Sequence, residues 1–189
     1  MLRSVLTLVV AALTIALAAP ASGAGVAPPD WWPAHVAFMT RGDAAWETPN
    51  PGAASDPSVP DAYGMQWTAV NDGTGMIGRL YGVKDGRETD EFWAFREFLH
   101  PGRGVVVIEQ WGGSGLYGRG ETIATAPDRG ETDQTFWLPD GRSWREGHRA
   151  HEDGDLYHTD VFDIGADGVW TRRDANTWRR VPRHAASPS

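Results

Sequence analysis

The chain has 189 residues, among them 10 tryptophans and 23 glycines, no cysteine, and a formal net charge of −8. That length is one domain's worth, able to bury a core without staples, and the missing cysteine excludes disulfide scaffolding and a thiol nucleophile. The acidic balance argues against a nucleic-acid partner, which would call for a basic stripe.

Residues 1–24 read as an export signal. Arg3 precedes an apolar run from Val5 to Ala19, and Pro20-Ala21-Ser22-Gly23-Ala24 supplies the small residues that a signal peptidase requires. The run falls short of the ~20 residues of a spanning helix. A lipid-anchored signal would need a cysteine and a twin-arginine signal would need paired arginines; neither is there. The expectation is an extracytoplasmic protein, secreted or periplasmic, with no membrane anchor after cleavage.

Residues 25–45 form an arm and one short helix. Asp30 is placed to cap the helix, Pro33 is tolerated in its first turn, and Gly42 follows its end. Trp32, Val36 and Met39 fall at helical spacing, so one face is expected on the mouth of whatever follows. After a short strand at Trp46-Glu47-Thr48, the Pro- and Ala-rich loop of residues 49–60 is either a lid or an excursion.

Residues 46–182 then alternate short aromatic and β-branched segments with glycine turns. The expected strands are Met65–Val70, Met76–Val83, Phe92–Leu99, Val105–Trp111, Leu116–Thr125, Thr132–Leu138, Ser143–Glu152, Leu156–Ile164, Val169–Arg172 and Trp178–Val181. Turns such as Lys84-Asp85-Gly86 and Pro139-Asp140-Gly141 join them, so sequence neighbours are antiparallel neighbours. Closure removes the exposed edges of such a meander. The fold class predicted is therefore all-β, a single antiparallel up-and-down barrel of 9–10 strands with a short N-terminal helix; residues 183–189 are expected to be a disordered tail. Gly78 with Gly82, and Gly118 with Gly120, provide the bends that closure needs.

The pattern from Trp46 to Val181 resembles the lipocalin-like, or calycin, group of barrels, and within it the small exported bacterial lipocalin-like domains of unknown function. It rests on the N-terminal helix, Trp46 on the first strand, the Asp-Gly hairpin meander and Trp178-Arg179-Arg180 on the last strand. In that group an arginine of the closing strand covers a first-strand tryptophan two residues after a glycine. Here Gly42 stands four residues ahead, so that signature is missing. The resemblance implies a barrel with a pocket for a small molecule.

Gly73-Thr74-Gly75-Met76-Ile77-Gly78 and Gly113-Ser114-Gly115-Leu116-Tyr117-Gly118 match the letters of a dinucleotide fingerprint, but each leads into a strand where that motif needs a helix. No cofactor is expected. On a strand His148 and His151 point to opposite faces and cannot share an ion, so no metal is expected either. Glu109 and Gln110 also point opposite ways; one faces inward, and the glutamate is a partner for Arg119.

The site expectation centres on residues 143–164. A two-residue turn at Asp153-Gly154 would pair Arg149 with His158 and Arg145 with Phe162. The face of Leu156, His158, Asp160, Phe162 and Ile164 is taken as inward, bringing an Arg/His/Asp cluster into the barrel, with space beside Asp160 at Gly147. The opposite face, with Tyr157, Thr159 and Val161, is equally mixed. The expected ligand-binding residues are Trp67, Trp93, Trp111, Trp137, Arg145, Arg149, His158 and Asp160. The first functional reading is a barrel binding a small apolar or aromatic ligand. The alternative is an enzyme, an isomerase, cyclase or hydrolase, in which His158, Asp160 and Arg149 are the candidate catalytic residues. The third is a filled barrel serving as a structural or interaction module. The ligand and the oligomeric state are not legible.

Overall fold

The computed structural model describes residues 30–100, 102–103, 105–183 and 185–186, and the expected export signal lies outside them. Helix α1 (Trp31–Thr40) is followed by β1 (Ala44–Pro49), β2 (Ala62–Val70), β3 (Gly75–Lys84), β4 (Arg87–Leu99) and β5 (Val106–Gly112). Next come β6 (Leu116–Ala126), β7 (Arg129–Trp137), β8 (Ser143–Asp153), β9 (Leu156–Ile164) and β10 (Trp170–Pro182). Each strand pairs antiparallel with the next, β1 pairs with β10 and β4 with β5, so these ten strands form a closed up-and-down barrel. The all-β expectation holds.

Three details depart from the sequence reading. The two short segments expected at 169–181 are one strand, β10, which stays continuous through a bulge between Arg172 and Asp174. Residues 185–186, expected to be tail, form a two-residue strand β11 that pairs in parallel with Arg87 and Glu88. The start of β4 is free to accept them because β5 pairs only from Trp93 onward. The 49–60 loop is tied down: Asn50 accepts from Gly52 and donates to Pro60, and Lys84 Nζ donates to the carbonyls of Pro57 and Val59.

Turn chemistry sets the register. Asp85 and Gly86 both take positive φ (50° and 70°), the type I′ pattern that matches strand twist. At the β8–β9 hairpin the two loop residues are Gly154 and Asp155, and Gly154 takes the positive φ (60°) of a type II′ first position. The expected register is therefore corrected by two residues: Arg149 faces Asp160, Arg145 faces Ile164, and His151 faces His158. A two-residue shift leaves the sharing of faces unchanged.

Helix α1 closes the end where β1 begins and β10 finishes. Asp30 makes no side-chain cap bond; packing holds the helix in place. Trp32, Val36, Phe38 and Met39 are buried in the main core with Trp46, Met65, Met76, Phe95, Val106 and Trp178. Trp46 Nε1 donates to the Met39 carbonyl at 3.1 Å. The Arg180 guanidinium lies 4.2 Å from the Trp46 ring centre, 5.2 Å from that of Phe38, and donates to the Phe38 carbonyl. Register puts Trp46 and Arg180 directly opposite on β1 and β10. Thus a first-strand tryptophan is covered by an arginine of the closing strand.

Candidate functional site

Alternation along the strands decides what faces inward. Trp93, Phe95 and Glu97 share one face of β4, Ile108 and Gln110 of β5, Thr132, Gln134 and Phe136 of β7. On β8 and β9 the inward residues are Glu146, His148, Ala150, Tyr157, Thr159 and Val161, the face opposite to the one expected. These walls enclose a cavity of about 240 Å³. Its apolar surface comes from Met65, Leu80, Phe95, Ile108, Val161 and Trp178, and its polar surface from Glu97, Gln110, Gln134, His148, Thr159 and Asn176. Gly118 and Gly120 face inward opposite Gln110 and Ile108, where a Cβ would meet Phe136 at 2.3 Å and the Asp133 carbonyl at 2.2 Å.

Next to this cavity, beneath α1, lies a smaller void of about 30 Å³ that shares Glu97, Thr132, Ala150 and Tyr157 with it. Here His35 Nδ1 stands 2.6 Å from Glu152 Oε1, and its Nε2 stands 3.8 Å from Glu97 Oε2. Burial pushes the Glu97 carboxyl above the usual carboxylate range, only partly offset by His35 and His148. Burial pushes the Tyr157 hydroxyl far up as well, reinforced by the charges of Glu97 and Glu152. A histidine oriented by one carboxylate and facing another is an arrangement that can exchange a proton.

Toward the other end, Glu146 has the opposite environment. Burial pushes it up, but His148 Nε2 at 2.9 Å and Arg173 Nη2 at 2.5 Å more than offset that and hold it below the usual range. Arg173 also reaches Asp163 at 2.7 Å.

Among the described residues, three that line the main cavity carry a buried polar atom with no hydrogen-bond partner: Trp67 Nε1, Gln134 Nε2 and Glu97 Oε2. Their neighbours on the same wall are satisfied, since Trp93 Nε1 donates to Gln110 Oε1 at 2.7 Å and Gln110 Nε2 to Gln134 Oε1 at 2.6 Å. Buried polar groups are nearly always paired, so each exception asks for a reason.

The predicted site residues divide. Trp67 and Trp93 face inward, Trp67 against Phe95 with ring centres 4.5 Å apart. Trp111 and Trp137 do not. They are 45% and 40% exposed on the outer wall and flank Tyr117 in one cross-strand row, with Trp137 stacked on Tyr117. The inward reading of Arg145, Arg149, His158 and Asp160 is corrected too. Their side chains lie outside, where Arg145 pairs with Asp133, Arg149 with Glu131, Asp160 with Arg172, and His158 Nδ1 sits 3.0 Å from Thr177 Oγ1. The space expected beside Gly147 is occupied by the Trp170 ring. Phe162 and Ile164, whose apolarity pointed inward, are buried on the outer wall; the Arg149 guanidinium lies over the rings of Phe162 and Trp170.

Sequence reasoning missed His35, Glu97, Gln134 and Glu146. The signals were available. His35 follows Trp32 by three residues and precedes Met39 by four, so it shares the buried helix face. Glu97 continues the alternation of Trp93 and Phe95, and Gln134 sits between Thr132 and Phe136. Of the Glu109 and Gln110 pair, Gln110 is the inward one, and Glu109 lies outside against Arg96 and Arg119.

Fold and cavity together define a closed ten-stranded antiparallel barrel, plugged at one end by a helix, with an internal polar-and-apolar chamber. Comparison with protein-family models, with curated proteins and with solved structures finds no match.

Proposed function

We propose that this protein binds a small, largely apolar molecule inside the barrel. The observation that carries the reading is the chamber of about 240 Å³ whose lining residues include three with buried polar atoms that lack partners. Ligand sites combine an apolar lining with a few placed polar groups, and this volume sits just below the ~300–1,000 Å³ usual for them. The helix plug and the Arg180 cover on Trp46 support kinship with lipocalin-like barrels, and we extend the proposal to an exported, extracytoplasmic carrier or scavenger.

The test is native mass spectrometry of the mature protein purified from the extracytoplasmic fraction, beside Ala150→Leu, which fills the chamber. A stoichiometric small molecule on the wild type that is lost from the folded variant supports the reading. Bare masses for both, with no rise in melting temperature over a panel of apolar compounds, would overturn it in favour of a filled structural barrel.

A further inference from the structure

Resting on the cavity reading, the unpartnered atoms narrow the chemistry of the occupant. Two of them, Trp67 Nε1 and Gln134 Nε2, are N–H donors. They project from β2 and β7, which stand five strands apart in a ring of ten and so on opposite walls. Gln134 is 2% exposed and its Oε1 is already taken by Gln110, so only its donor end is spare. Among the described residues no Lys or Arg lines the chamber. Arg173, which reaches the inward Glu146, is engaged by it and by Asp163, and His148 is engaged by Glu146. A carboxylate, phosphate or sulfonate would enter with its charge unpaired, which is unfavourable in a low-dielectric interior.

We propose that the chamber accepts an uncharged, flat, mostly apolar molecule carrying hydrogen-bond acceptors on two opposite edges, of the quinone or cyclic diketone class, held between Trp67 Nε1 and Gln134 Nε2. Met65, Leu80, Phe95 and Ile108 then cover its apolar body. The reading disfavours fatty acids and other anionic lipids, because no Lys or Arg is among the described residues that line the chamber.

Three probes with related bodies test this by equilibrium dialysis: 1,4-naphthoquinone, naphthalene and 1-naphthoate. The chain has no cysteine for the quinone to alkylate. The quinone is expected to bind about 10-fold or more tighter than naphthalene, from two neutral hydrogen bonds made to otherwise orphaned donors, and naphthoate is expected not to bind. Trp67→Phe and Gln134→Leu are each expected to lower the quinone-to-naphthalene ratio about 3- to 10-fold while leaving naphthalene binding in place, a ratio that a general loosening of the barrel does not change. Equal binding of quinone and naphthalene, or tighter binding of naphthoate, would overturn the ligand class and leave the cavity reading standing. Probe binding that survives unchanged in Ala150→Leu, or no binding of any probe, would overturn both.

Discussion

The inner and outer walls of this barrel are built from the same side-chain types, and burial alone separates what they do. Inside, Glu97 has no hydrogen-bond partner on one oxygen and is pushed up, while Glu146, with His148 and Arg173 against it, is held down. Outside, Glu131 with Arg149, Asp133 with Arg145 and Asp160 with Arg172 form cross-strand pairs half open to water. Coulombic attraction in water is weak and screened, whereas an interior group must be matched or changes its protonation. The outer pairs face water and contribute little; the inner groups decide what can enter.

Tryptophan gives the largest test of that contrast. Trp46 is 1% exposed, packed between Phe38 and Arg180, and hydrogen-bonded to Met39. Trp46→Ala is expected to cost about 3–5 kcal/mol in chemical denaturation. Trp137→Ala, on the outer row, is expected to cost under about 1 kcal/mol, the worth of its stacking on Tyr117. Equal losses at the two positions would mean that the outer row is part of the folding core.

Arginine gives the next. Arg173→Ala leaves the buried Glu146 with His148 alone, and should destabilise by about 1–2 kcal/mol after discounting for the half-exposed guanidinium. It should also move the Glu146 carboxyl back up, which a carboxylate-resolved NMR titration would register. An unmoved titration would show that His148 holds Glu146 unaided.

The two inner glutamates predict pH dependence of opposite sign. Glu97 is raised in the folded state, so above the ordinary value of 4.5 the unfolded chain releases a proton that the folded chain keeps, and stability falls as pH rises through the folded value. Glu146 is lowered, so its contribution is present above 4.5 and is lost as pH falls through its folded value. Denaturation midpoints measured from pH 4.5 upward should therefore decline in the wild type and flatten in Glu97→Gln. A decline that persists in that variant would place the burden elsewhere.

Much of the fold was legible because glycine turns and period-two alternation are local. The approximate strand count, the N-terminal helix and the bend glycines at 118 and 120 follow from residues adjacent in the chain, and closure follows from the edges it removes. The site was less legible because its orientation is set by a tertiary event. On β9, Phe162 and Ile164 look inward by apolarity, yet Trp170 and Arg149 fold over Phe162 from outside. The inward Tyr157 and Thr159 look no more apolar than their neighbours. Nor does any local pattern reveal that His35, far along the chain from Glu97 and Glu152, comes to rest between them.

The smallest effects belong to the cluster that the sequence made most conspicuous. Arg149, His158 and Asp160 lie on the outer wall, with Arg149 and Asp160 side chains 54% and 42% exposed. Exposed pairs of this kind contribute between nothing and about 1 kcal/mol. Asp160→Ala and His158→Ala are each expected to shift stability by under about 0.5 kcal/mol and to leave binding in the chamber unchanged. Arg149→Ala should cost slightly more, near 1 kcal/mol, because its guanidinium also lies 4.8 Å from the Phe162 ring centre. Loss of ligand binding in His158→Ala or Asp160→Ala, with the barrel still folded, would return the site to the outer wall and reverse the assignment of the two faces.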